Sequence, residues 1–357
     1  MSVAETADLW WKNAVVYCLD VQTFFDSDGD GIGDLAGLTG KVDYLAGLGV
    51  TCVWLMPIYP TADLDDGYDI TDHYGIDPRL GSFGDFTEFV RTARDRGMRV
   101  IVDLVVNHTS DQHAWFQAAR HNRESRFRDF YVWSDEIPAD GPRGETFPGD
   151  QGGLWTWDPE AGQYYLHRFY RHQPDLNIAS VEVRDEIRKL IGFWLAQNLS
   201  GFRVDAVPFL LELDGIGEAM ELDPHEYLRD LRAFLNRRSG EAVLLGEVNL
   251  PPAEQRRYFG DEDGDELHLL FEALDHPLED IGGCVHGRRR QLALQRCENV
   301  VEQPTKDRAN RILCRWLAAG SDARGGHVRD GLAQEPAEVD RHLGEAAELL
   351  WQLSHAR

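Results

Sequence analysis

From residue 15 to residue 272 one pattern recurs, an amphipathic helix followed by a strand that is apolar throughout. Leu38, Val42, Leu45 and Leu48 share a helical face, Gly49 ends that helix, and VTCVWLMP follows. Phe86, Phe89, Val90 and Ala93 form a second face, Gly97 stops it, and VIVDLVVNH follows. Val183, Ile187, Leu190, Ile191 and Trp194 precede GFRVDAV. A fourth helix opens at Asp223-Pro224 with Glu226 in capping-box position, runs through Leu228, Leu231 and Leu235, stops at Gly240, and leads into AVLLGEV. Strands that are apolar on both faces and alternate with helices require a parallel sheet covered on both sides.

VVYCLDV and ELHLLFE bring the recognisable strands to about six. The expected fold class is therefore α/β. A barrel and an open doubly wound sheet both satisfy the alternation. Polar residues gather at the C-terminal ends of strands, at Asn107-His108, Asp205 and Glu247, where barrel active sites lie. No glycine-rich phosphate fingerprint follows the first strand. Both points favour a (β/α)8 TIM-type barrel, incomplete by sequence. Residues 109–175 interrupt the alternation with an aromatic, loop-rich stretch that reads as a small inserted subdomain after the third strand. The expected organisation is 1–108 as the first part of the barrel, 109–175 as the insertion, 176–275 as the barrel continued, and 276–357 as a divergent tail.

The net charge of −26 repels nucleic acid and anionic membranes, so neither is an expected partner. No apolar run approaches a membrane span, and residues 1–8 lack a basic start or an apolar stretch, which makes a cytoplasmic location the default. Cys18, Cys52, Cys284, Cys297 and Cys314 match no metal or redox spacing and read as reduced thiols, the first two in strands.

Arg203 and Asp205 lie two residues apart on one strand and point to the same side. They form either a buried ion pair or a nucleophile kept ionised by its arginine. Glu247 ends the next strand. Two carboxylates on neighbouring strand ends suit glycosidic bonds, which retaining enzymes cleave with a nucleophile and an acid/base about 5 Å apart. At the end of the third strand, next to Asp103, Asn107 could bind a hard cation and His108 a sugar hydroxyl. The loop DSDGDGIGD alternates aspartates and glycines, a pattern for Ca²⁺ or Mg²⁺, although position 37 is glycine where an EF-hand has its closing glutamate. DDGYDI sets Tyr68 among Asp65, Asp66 and Asp69, which suits stacking and hydrogen bonding to sugar or, alternatively, a polar surface loop. Trp155, Trp157, Tyr164, Tyr165, Phe169 and Tyr170 fit either a sugar site or the core of the insertion.

Together DGYDI, DLVVNH, QPDLN, GFRVDAV and LLGEV resemble the α-amylase superfamily, glycoside hydrolase family 13, in order and spacing. LWWKNAVVY, FFDSDGDGIGDLAGLT and YYLHRFYRHQPDLN are similar to segments of its trehalose synthases (maltose α-D-glucosyltransferases) and related bacterial α-glucosidases. The resemblance covers residues 8–271. It implies Asp205 as nucleophile, Glu247 as acid/base, and Asp65, Tyr68, His108 and Arg203 as ligands of the transferred glucose, with Gln173 nearby. It implies one structural cation on Asp26, Asp28, Asp30, Asp34 and the Ile32 carbonyl. A second would be held by Asn107, Asp175, Glu212 and the carbonyls of Phe209 and Leu210. No organic cofactor is implied. The implied substrate is an α-linked glucose disaccharide or oligosaccharide, with maltose/trehalose interconversion as the reaction and α-glucoside hydrolysis as the alternative.

The family's third carboxylate, in an Asn-His-Asp motif after the seventh strand, has no counterpart after residue 271. From residue 281 onward there is no Phe or Tyr, and GRRRQLALQRC and DARGGHVRDG are rich in Arg, Gly and Ala. The abrupt change at 272–284 suggests a shifted reading frame and, as a further alternative, an inactive remnant. A sheet ending at six strands would expose a parallel edge and lower solubility.

Overall fold

The computed structural model describes residues 10–138, 146, 152–210, 224–260, 264–271 and 311–314. All lie within one compact unit, Met1–Leu317. The main strands are β1 (Val15–Leu19), β2 (Cys52–Leu55), β3 (Arg99–Leu104), β7 (Gly201–Val204), β8 (Val243–Glu247), β9 (Leu269–Phe271) and β10 (Arg311–Cys314), with β4 (Trp133–Ser134), β5 (Trp155–Asp158) and β6 (Gln163–Leu166) in the insertion. The helices are α1 (Val21–Phe24), α2 (Leu35–Gly40), α3 (Val42–Gly47), α4 (Phe83–Asp95), α5 (Ala114–His121), α6 (Val181–Leu195), α7 (Val207–Leu210), α8 (Pro224–Arg238) and α9 (Pro252–Gln255).

The sheet order is β10-β1-β2-β3-β7-β8-β9, parallel throughout, which is an incomplete (β/α)8 barrel. The six strands read from the sequence are all present in it. Residues 311–314 add a seventh, pairing Val15 with Arg311 and Cys18 with Cys314, so β1 is not the exposed edge. A four-residue segment with three apolar residues, in an Arg-rich tail, carries too weak a periodic signal to be read as a strand.

Packing follows the pattern of the sequence. Phe86, Phe89, Val90 and Ala93 of α4 are buried against the outer face of the sheet, behind a capping box made by Ser82 and Asp85. Truncating either phenylalanine to alanine would cost about 3–5 kcal/mol. The helix expected over Leu38–Leu48 breaks at Lys41 into α2 and α3, which still bury Leu38, Val42 and Leu45 together. The inner face is smaller. Val16, Cys18, Cys52, Trp54, Ile101, Val243, Leu245 and Leu269 form one apolar cluster. Continuing two residues along β3, β7 and β8 on that face reaches Asp103, Arg203 and Glu247, so the interior turns from apolar to charged toward the C-terminal strand ends.

The insertion forms an antiparallel sheet, β4-β6-β5, beside α5. Its aromatics differ in burial. Tyr165 is buried with Phe116, Tyr131 and Trp133. Trp157 pairs with Tyr164 and is largely exposed.

Candidate active site

Asp205 directly follows the last residue of β7 and continues the ladder, its N–H donating to the Leu104 carbonyl at 3.2 Å. The chain then turns sharply, with Ala206 at φ 49°. This left-handed conformation costs a non-glycine residue about 1–3 kcal/mol and is held by its surroundings. It turns the Ala206 N–H to within 3.4 Å of Glu247 Oε2.

Arg203 is the hub of the site. Its Nη1 donates to Asp205 Oδ1 at 2.6 Å and also to Asp103, while Nη2 donates to Glu247 Oε2 at 2.6 Å. One guanidinium therefore bridges the two carboxylates, an arrangement compatible with the separation of about 5 Å that retention requires. The guanidinium lies over Trp54, 5.1 Å from the ring centroid, and Trp54 Nε1 donates to Asp103 Oδ2 at 2.7 Å. Burial by itself would discharge Arg203, but Asp103, Glu247, Tyr68 and Asp205 hold it charged well beyond the ordinary range. Burial raises the Asp205 carboxyl; Arg203 opposes that, while Glu247 and Asp103 push the same way as burial. Burial likewise raises Asp103, to about 6, despite Arg203 and Trp54. The Glu247 side chain is 18% exposed against 9% for Asp205, which leaves it the better placed of the two to exchange protons with an acceptor.

The DDGYDI loop is tied down by Asp69. This fully buried side chain accepts from Thr61 Oγ1 at 2.7 Å and from the N–H groups of Leu64 and Asp65 at 3.1 and 3.2 Å. Asp69 is thus a structural residue, and Asp65 and Tyr68 are left to face the site. Gln173 Nε2 donates to Asp65 Oδ2 at 2.7 Å, and burial raises the Asp65 carboxyl. Tyr68 reaches Arg203 with its hydroxyl at 3.4 Å and accepts from His108 Nε2 through its carbonyl at 3.2 Å. Burial lowers His108 to about 3, so the ring is neutral, with its Nε2 proton on the Tyr68 carbonyl. The His108 ring contacts Phe169, which packs on Phe209. Contacts therefore link every residue expected to act on the sugar, in the series Gln173–Asp65 and His108–Tyr68–Arg203–Asp205/Glu247. Reading the motifs one at a time misses Trp54 and a role for Asp103. The available signal is that Asp103 is a charged residue inside an apolar strand, two positions after inward-facing Ile101.

The two expected cation sites differ. Asp26, Asp28 and Asp34 each bring one carboxylate oxygen within 4.8 Å of the others, a fit for a hard cation. N–H groups of Gly31 and Gly29 keep the Asp26 carboxyl below its usual range. Asp30 lies outside that cluster and accepts from the Ile32 N–H at 2.8 Å. At the second site the Asp175 oxygens accept from the Arg168 N–H at 2.9 Å and its guanidinium at 2.6 Å. Asn107 turns its amide toward His108 Nδ1 at 3.4 Å, and Glu212 lies outside the described residues. Arg168 thus supplies a positive charge to Asp175. Among the described residues no helix is long and apolar enough to cross a membrane.

The family profile for the alpha amylase catalytic domain matches residues 20–311, beyond residue 271 where the motifs stop. Trehalose synthase/amylase TreS of Mycolicibacterium smegmatis is 45% identical over 73% of this chain and 44% of its own length. Glucan 1,6-alpha-glucosidase of Streptococcus pneumoniae is 39% identical over 74% of this chain and 48% of its own. The solved structure of a mutant of trehalulose synthase MutB superposes with a TM-score of 0.65 at 36% identity, over 74% of this chain and 49% of that one. The chain spans about half the length, or less, of these relatives. On the profile match and these identities, the chain belongs to the α-amylase family of glycoside hydrolases, glycoside hydrolase family 13.

Proposed function

We propose that this chain acts on α-linked glucosides with retention, in the manner of a trehalose synthase interconverting maltose and trehalose. The observation that carries the reading is the Arg203 bridge between Asp205 and Glu247. In the first step the Asp205 carboxylate attacks the anomeric carbon, and the glycosidic oxygen leaves with the departing sugar and a proton from Glu247. In the second, Glu247 takes a proton from the incoming hydroxyl, which attacks the glucosyl–Asp205 ester and frees the carboxylate. Arg203 opposes the upward push of burial on the Asp205 carboxyl and orients both carboxylates. Asp65, Tyr68 and His108, with Gln173 fixing Asp65, hold the glucose ring. If the acceptor is the released glucose, the product is an isomer; if it is water, the substrate is hydrolysed to free glucose. Similarity both to trehalose synthase and to a glucosidase supports this shared first step. A Ca²⁺ or Mg²⁺ ion on Asp26, Asp28 and Asp34 would hold the loop after α1.

A second reading, an inactive remnant that binds sugar or cation, is favoured by the absence of an Asn-His-Asp motif after residue 271. Incubating the purified chain with maltose separates the two. Release of glucose or trehalose that disappears in Asp205→Asn supports catalysis; no turnover by folded protein supports the remnant. Resequencing codons 272–284 tests the shifted frame, which predicts an Asn-His-Asp motif in one of the other two frames.

A further inference from the structure

At the opposite end of the strands from the active site is a cavity of about 590 Å³. It opens between the C-terminal ends of α4, α6 and α8 and the starts of β3 and β7. Arg94, Arg99 and Arg238 meet there against a single carboxylate, Glu241, in a chain whose net charge is −26. That carboxylate is already engaged. Arg99 Nη1 binds Glu241 Oε2 at 3.0 Å, Arg99 lies 4.9 Å over the Trp10 ring, and Trp10 Nε1 donates to the Glu241 carbonyl at 2.7 Å. Arg94 and Arg238 have no ion-pair partner among the described residues, although Arg238 lies against the Phe234 ring. The side chains of Asn198, Ser200 and Ser239 add polar atoms with no hydrogen bond among the described residues.

We propose that this cavity binds a small phosphorylated polyol, such as a hexose phosphate. Its volume suits a ligand of that size. Two unengaged guanidinium groups match a phosphate, which arginine holds through paired hydrogen bonds, and the amide and hydroxyl side chains match sugar hydroxyls. Three helix C-termini would by themselves repel an anion. The arginines reverse that sign, so their removal weakens binding.

Isothermal titration of the full chain at constant ionic strength, with glucose 6-phosphate, inorganic phosphate and glucose, tests this. The expected order is glucose 6-phosphate tighter than phosphate, with glucose not bound at this cavity. The double variant Arg94→Gln/Arg238→Gln should weaken glucose 6-phosphate by about tenfold or more. Ala196→Trp, which fills the rim without changing charge, should weaken it as well, and Asp205→Asn should leave it unchanged. The proposal is overturned by absence of binding at millimolar glucose 6-phosphate, by affinity no greater than for phosphate, by binding unaffected in both cavity variants, or by its loss in Asp205→Asn.

Discussion

Asp103 and Arg203 are register partners on adjacent strands, and their side chains meet on the inner face of the sheet, beneath Asp205. Asp103 touches neither Asp205 nor the proposed sugar directly. It works as a positioning residue, sharing Nη1 of Arg203 with Asp205.

Asp103→Asn should therefore change the pH dependence of turnover as well as its rate. As the proposed nucleophile Asp205 attacks only as a carboxylate, and its raised pKa predicts that activity is lost as pH falls through that elevated value. Removing the Asp103 charge takes away one raising influence and leaves Nη1 to Asp205 alone. Both effects favour the carboxylate, so the acid limb of the kcat profile moves to lower pH while the rate at the optimum drops about tenfold to a hundredfold from lost orientation. A pH–rate profile of the variant checks the sign.

Arg203→Leu leaves buried carboxylates without their counter-charge and should cost about 3–5 kcal/mol in urea denaturation. Arg203→Lys retains a charge but cannot bridge Asp205 and Glu247 with one ammonium. It should recover part of the stability and little of the maltose turnover. Equal recovery of both would argue that bridging is dispensable.

His73 and His113 make a further prediction. The His113 Nδ1 accepts from the Trp115 N–H at 3.0 Å, so its Nε2 carries the proton facing His73 Nδ1 at 3.3 Å, and His73 Nε2 donates to the Val105 carbonyl at 3.0 Å. Burial lowers His73 to about 4 and His113 to about 2, so both are neutral in the fold. Unfolded histidines titrate near pH ~6.5. The folded state thus binds fewer protons, and stability present above that pH is lost as pH falls below it, by about 1.4 kcal/mol per pH unit for each ring. Urea midpoints between pH 7 and 5 should fall, with a shallower slope in His113→Asn, a residue that can still cap α5.

Cation binding at Asp26, Asp28 and Asp34 predicts a rise in Tm with added Ca²⁺ and a fall with chelator. A ligand at a hundred times its Kd adds about 2.7 kcal/mol. Asp26→Ala/Asp28→Ala should remove the response; an undiminished response would place the ion elsewhere.

How much of this was legible in the sequence depends on how local each signal is. Glycine-terminated helices and apolar strands specify β1, β2, β3, β7, β8 and β9 because pattern and burial coincide there. Arg203, Asp205 and Glu247 are visible because charge at the end of an apolar strand is costly and therefore conspicuous. The Asp103–Trp54 contact was not legible, since it depends on register between strands far apart in sequence. Neither was the capture of Asp175 by Arg168, because a lone aspartate before a strand bridge looks the same whether it meets an arginine or an ion. The strand at 311–314 exists through pairing with β1 and has no pattern of its own.

Trapping the covalent intermediate shows whether Asp205 is the nucleophile of a retaining reaction. Treating the purified chain with 5-fluoro-α-glucosyl fluoride and mapping the label by peptide mass spectrometry should find a fluoroglucosyl ester on Asp205, absent from Asp205→Asn. Folded protein that consumes the reagent or maltose but carries no label, or carries it on another carboxylate, would contradict the account.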